Sequence, residues 1–184
     1  HTITQGGYYQ YDSGLNLGYR SWLHYLLPVT YTDPWLAREI LRYSISLQAE
    51  IGGHLPYGTG PLCSLVDPFG TSNDFDFWLM LAAAEYGLGS RDTAFFDEPL
   101  PFYDTGTLAS AWTHVKRAYE RQESLRGPHG GYAGMTNGDW SDFSAPLLQM
   151  TESTLVAAQL AYAYPNLAEL AERLGDTDFA AELR

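Results

Sequence analysis

Apolar and polar positions along the chain alternate between helical periodicity and turn-rich loops. Residues 1–16 carry Gly6-Gly7-Tyr8-Tyr9-Gln10-Tyr11 and little periodicity, which predicts extended or looped structure. From Leu17 to about Leu27, Tyr19, Trp22, Leu23, Leu26 and Leu27 recur at helical spacing, and Pro28 is expected to end or kink that helix. Asp33-Pro34 starts the next one, with Asp as N-cap and Pro in the first turn. Its apolar positions run from Leu36 through Ile40 and Leu41 to Leu47, ending near Ala49. Residues 52–71 form a Gly/Pro loop of a length that is unusual unless it lines a site or lid. Ser72 is the expected cap of a helix from roughly Asn73 to Tyr86, apolar nearly all round and therefore buried on more than one side. Asp92 to Asp97 predicts a short helix, and Pro99 and Pro101 a connection. From Leu108 to about Ser124 the pattern is amphipathic, with Trp112, Val115, Ala118 and Tyr119 inward and Lys116, Arg117, Glu120 and Arg121 outward. A helix from Met150 or Thr151 to Tyr164 is interrupted by Pro165 and resumes to Leu174; Gly175-Asp176-Thr177 leads into a last short one.

A loose repeat runs through this order. A loop of Gly with aromatic or acidic residues, a buried helix, a short connection and a more polar helix recur from roughly 16, 52 and 127. The pattern predicts an all-α fold, with helical hairpins whose loops gather at one end as in an α/α toroid. Residues 1–184 are expected to form a single domain. A closed toroid of six hairpins needs ~300–400 residues. The expectation is therefore an incomplete barrel, a fragment or half of a catalytic domain. His1 is not an initiator Met, so residues upstream are expected too.

Composition narrows the function classes. Hydrophobic residues make up 45% and charged residues 17%, which excludes disorder. A formal net charge of −12 disfavours nucleic acid and anionic membranes, and no apolar run reaches membrane-spanning length. The single Cys63 excludes an internal disulfide and a thiolate-rich metal site, and His24, His54, His114 and His129 lack tight ligand spacing. Ser72 and Ser141 have no paired His motif. With no signal peptide in view, a cytoplasmic location is the expectation.

The densest chemistry lies in Met135-Thr-Asn-Gly-Asp-Trp-Ser-Asp-Phe-Ser144, a turn-forming run that packs Asp139, Trp140 and Asp142 into four residues. An indole there can stack on a sugar ring while a neighbouring acid protonates a glycosidic oxygen. The same residues also fit a plainer reading, in which an Asp caps the next helix and Trp140 folds onto the core.

Several ordered stretches resemble a known family. Gly18-Tyr19-Arg20, Asp33-Pro34-Trp35-Leu36-Ala37-Arg38-Glu39 and Ser72-Asn73-Asp74-Phe75-Asp76-Phe77-Trp78-Leu79 are similar to glycoside hydrolase family 94, the cellobiose and chitobiose phosphorylases. So are Arg126-Gly127-Pro128-His129-Gly130, Gly138-Asp139-Trp140-Ser141-Asp142 and Thr151-Glu152-Ser153. The resemblance covers about 16 to 184 and implies an (α/α)6 barrel that cleaves a glycosidic bond with inversion. Asp142 would be the general acid and Trp140 the sugar platform, with Asp139, Arg20, Asp74, Asp76 and Tyr19 as further substrate-binding candidates, and Arg20 fits an ion pair with Asp12 or Asp74 equally well. Hydrolysis needs a second carboxylate for water, and Asp74 and Asp76 are the nearest; phosphorolysis needs phosphate and no base. The sequence leaves both open. No metal or organic cofactor is expected, and phosphate enters only as a co-substrate. Expected partners are an oligosaccharide or glycoside, and either a second copy as a homodimer or the rest of the barrel. Three departures stand out: Ser21 replaces a usual Asp after Arg20, Asn73 replaces Asp, and Ser141 replaces Asn. The alternative they leave is a non-catalytic helical module that binds a glycan or a partner.

Overall fold

The computed structural model describes residues 17–59, 65–66, 72–132, 139 and 151–184. Among these, six α-helices carry the fold: α1 (Tyr19–Thr32), α2 (Pro34–Ser46), α3 (Phe75–Ser90), α4 (Ala111–Ser124), α5 (Thr154–Leu174) and α6 (Thr177–Glu182). The architecture is all-α, an arc of helices of the toroid type.

The organising element is α3. Phe75, Phe77, Leu79, Met80, Leu81 and Ala82 to Ala84 are all buried, because α1, α2, α4 and α5 pack around it. A helix walled on every side has no polar face to keep, which is why its sequence is apolar all round. Gly87 lets α5 and the Phe96 ring approach closely: a Cβ there would stand 2.6 Å from Leu170 Cδ1. None of the described helices is long and apolar enough to cross a membrane.

Local capping sets most of the boundaries. Asp33 accepts from the Leu36 N–H at 3.1 Å with Pro34 in the first turn of α2. Asp92 accepts from the Phe95 N–H at the head of a 3-10 turn (Thr93–Asp97), and Asp176 accepts from the Phe179 N–H at the head of α6. Each stabilises its helix start by about 1 kcal/mol.

Several boundaries differ from the sequence expectation. Helix α1 runs through Pro28 to Thr32, and α5 runs through Pro165 to Leu174. Each proline lacks the N–H that would serve the carbonyl four residues earlier, but both prolines and positions 24 and 161 lie on an exposed side of their helices, where a helix tolerates the lost bond better than in the core. Residues Leu108–Ser110 are not the start of α4. They form a strand, β5, paired antiparallel with β4 (Pro99–Pro101), and Ser110 caps α4 through the Thr113 N–H. At the head of α3 the N-cap is Asp74 rather than Ser72, and its side chain makes no capping bond.

A short antiparallel ribbon joins the other ends. Strand β1 (Leu17–Gly18) pairs with β2 (Gly58–Thr59), and β2 with β3 (Leu65–Val66). The Tyr19 N–H donates to the Tyr57 carbonyl at 2.9 Å, so the first turn of α1 is fixed to that ribbon. This places Arg20 beside the N-terminus of α3.

Candidate functional site

Polar side chains from α1, α3, α4 and α5 meet at the N-terminal end of α3. Asp74 is fully buried, and both of its oxygens are engaged. Oδ1 accepts from the Ser72 hydroxyl at 2.7 Å and from Arg20 Nη2 at 2.9 Å. Oδ2 accepts from Trp78 Nε1 at 3.1 Å and lies 2.9 Å from Arg20 Nε, an ion-pair distance. Trp78 stands one turn after Asp74 on the same helix face, which is how an indole N–H reaches the cap residue. A fork-shaped guanidinium with several fixed donors is suited to such a shared position, where a Lys ammonium would not be.

Arg20 extends this arrangement to the acidic loop. Its Nη2 donates to the Ser72 hydroxyl at 3.0 Å and to the backbone carbonyl of Asp139 at 2.9 Å. Asp139 is itself 6% exposed, and its carboxylate accepts from the Ser153 hydroxyl. The Ser153 oxygen also accepts from the Val156 N–H at 3.2 Å, capping α5. One serine thus joins the head of α5 to Asp139 from one side, while Arg20 joins α1 and α3 to it from the other.

Asp76, in the first turn of α3, is buried and pairs with Arg121 of α4. Its Oδ1 has no hydrogen-bond partner among the described residues. Burial outweighs the neighbouring guanidinium and pushes this carboxyl up from 3.8 to about 6, with the charge of Asp74 adding to the rise. Arg121 was expected to face outward; it is turned inward because Asp76 offers a charge to neutralise.

Tyr19 has no exposed surface. Its hydroxyl donates to the Ser44 carbonyl at 3.1 Å, and its ring packs on Trp22 and Phe75. Burial, with the charge of Asp76 adding, holds that phenol well above its ordinary range. As placed here it forms part of the wall behind Arg20 and offers nothing for a ligand to touch. Trp140 and Asp142 lie outside the described residues. Of the seven residues singled out from sequence, Arg20, Asp74 and Asp139 are therefore joined directly, and Asp76 lies next to them on α3. Ser72, Ser153 and Arg121 complete the arrangement. Sequence pattern marked Ser72 only as a cap, Ser153 only as part of a stretch resembling the family, and it placed Arg121 on an outward face.

Among the described residues, no group of three or more His, Cys, Asp and Glu side chains is arranged to hold a metal ion. His114, buried on α4, lies 3.0 Å from Gln48 Oε1 and 3.2 Å from the Leu100 carbonyl, and burial lowers its pKa.

A family model, the glycosyl hydrolase 94 superfamily catalytic domain, matches residues 5–183. The chain belongs to that superfamily. Within it, the N,N'-diacetylchitobiose phosphorylase of Vibrio proteolyticus is 30% identical over 121 residues, 62% of this chain and 15% of that protein. Membership in the glycosyl hydrolase 94 superfamily is consistent with the all-α arc, and the chain spans 15% of the relative's length.

Proposed function

We propose that this chain forms part of the catalytic domain of an inverting glycoside phosphorylase or hydrolase, with Asp142 as general acid and Trp140 as sugar platform. What supports the reading is the attachment of Asp139. Its carbonyl is held by Arg20 and its carboxylate by Ser153, at the end of the arc where the polar side chains gather. Three residues of chain reach at most ~11 Å, so the carboxyl-bearing residue 142 follows that anchor at short range by covalent length alone.

In the chemistry proposed, the Asp142 carboxyl gives its proton to the glycosidic oxygen as the C1–O bond breaks. A phosphate oxygen or a water attacks C1 from the opposite face, giving a product of inverted configuration. Phosphate needs no base from the protein, and the phosphorylase name of the Vibrio relative favours this branch. Asp74 is consumed by Arg20, Ser72 and Trp78, which makes it a support for the loop anchor rather than a base for water. Asp76, with one oxygen unpaired among the described residues and a raised pKa, is the remaining candidate second carboxylate. Arg20, with Asp74, fixes Asp139, and Tyr19 supports Arg20 from behind through Phe75.

The deciding experiment replaces Asp142 with Asn and assays β- and α-linked disaccharides and aryl glycosides with and without phosphate. Loss of turnover with retained sugar binding is the expected result, and phosphate-dependent release of a sugar 1-phosphate would select phosphorolysis. Ser21, standing where the family carries Asp, favours a non-catalytic glycan-binding module. A parent protein that binds sugars but turns none over would establish that reading instead.

A further inference from the structure

The segment 126–132 folds back as a tight hairpin after α4. Arg126 and Tyr132 form a β-bridge, Gly127 N–H donates to the Gly131 carbonyl at 2.8 Å, and Gly130 turns the chain with φ +83°. The N–H groups at its tip do not point to solvent. His129 N–H and Gly131 N–H both donate to Glu152 Oε1, at 2.7 and 3.2 Å, and His129 Nδ1 lies 3.3 Å from Oε2. Backbone amides two residues apart, those of His129 and Gly131, converge on one oxygen and make an anion-binding concavity, and here the chain supplies its own anion. The fit is close: a Cβ on Gly127 would stand 2.2 Å from Glu152 Cγ, and one on Gly131 would stand 3.1 Å from its carboxyl carbon. Glycine at these positions therefore admits the Glu152 side chain. The next residue, Ser153, is tied to the same hairpin by its N–H to the Tyr132 carbonyl at 2.9 Å, and its hydroxyl holds Asp139.

We infer that Glu152 is a positioning residue: its carboxylate fills the amide concavity of the 127–131 turn, locks that turn to the head of α5, and thereby sets Ser153 where it holds Asp139. The inference deepens the proposed function and rests on it for its catalytic consequence, but its structural core is independent of any turnover. Glu152→Gln keeps an acceptor oxygen for the two amides, whereas Glu152→Ala leaves the concavity without an anion.

The test uses the full chain with hydrogen exchange on peptides covering 127–132 and 139, alongside kinetics. In Glu152→Ala, exchange in both regions should accelerate, while α3 peptides stay protected. Added formate should restore protection in Glu152→Ala and not in Gly127→Ala, where the side chain itself is displaced. If the chain is an enzyme, kcat should fall about tenfold to a hundredfold in Glu152→Ala, the size expected for a displaced catalytic group. Glu152→Gln should recover most of that loss. Unchanged exchange at 139, or recovery with formate in neither variant, overturns the inference. A parent protein that turns over no sugar would remove the proposed function and leave the exchange result to decide the latch.

Discussion

Asp76 offers a measurement that separates two electrostatic accounts of the buried end of α3. Its carboxyl is pushed up from 3.8 to about 6, because desolvation exceeds the attraction of Arg121. A raised carboxyl binds its proton more tightly in the folded chain than in the unfolded one. The sign follows: its contribution to stability is most favourable below the unfolded pKa and is lost as pH climbs through the folded one. At about 1.4 kcal/mol per pH unit, a displacement of about two units amounts to about 3 kcal/mol. Asp76→Asn keeps the shape and stays neutral at every pH, so it should not suffer this loss. The stability of the Asn variant minus that of the parent is expected to rise by about 3 kcal/mol between about pH 3.5 and 7. The measurement is urea unfolding followed by far-UV circular dichroism across that range. Carboxyls held low, such as Glu123 with its Tyr132, Tyr164 and Arg126 donors, and Asp176 beside Trp112 and Lys116, weaken the fold as pH falls. They do so in both proteins and cancel in the difference. A flat or falling difference would refute the reasoning, because it would mean that Arg121 holds Asp76 ionised in spite of its burial.

Two further perturbations probe the packing. Gly87→Ala improves helix propensity by about 1 kcal/mol but places a methyl 2.6 Å from Leu170 and 2.8 Å from Phe96. Overpacking of this kind costs about 1–3 kcal/mol, so a lower thermal midpoint is expected, and a higher one would show that α3 and α5 have room to part. Ser153→Ala removes both the α5 cap and the donor to the buried Asp139 carboxylate, a combined loss of roughly 2–4 kcal/mol in urea unfolding. Ser153→Thr should retain most of it, and equal loss in the two variants would show that the hydroxyl is not what matters.

The features legible in the sequence are those whose causes lie within a few residues. Asp33, Asp92 and Asp176 each cap the segment that follows them, and the cap is made by an amide three residues on. The apolar circumference of α3 announced a helix enclosed by others, since a side exposed to water would carry polar residues. The order of the helical segments followed from such local signals, whereas the superfamily rests on the ordered motifs and on the family match over residues 5–183. Pro28 and Pro165 could not be placed in the same way. Whether a proline ends a helix depends on whether water reaches the carbonyl it abandons, and that is settled by which face the rest of the protein leaves open.

Which charges pair was settled by tertiary structure, even where sequence offered the partner as one alternative. Arg20 meets Asp74 across 54 residues and Asp139 across 119, and Arg121 meets Asp76 across 45. A guanidinium on an amphipathic helix looks solvent-facing until a buried carboxylate from another helix is placed against it. Tyr19 lies in a stretch that resembles sugar-binding sequence, yet its neighbours Trp22, Phe75 and Ser44 enclose it completely. Sequence by itself determined which segments are helical and marked the cap of α2 at Asp33, because backbone periodicity and capping are short-range. Only the folded chain decided which polar side chains are withdrawn from water together, because desolvation and charge pairing depend on what other helices bring alongside.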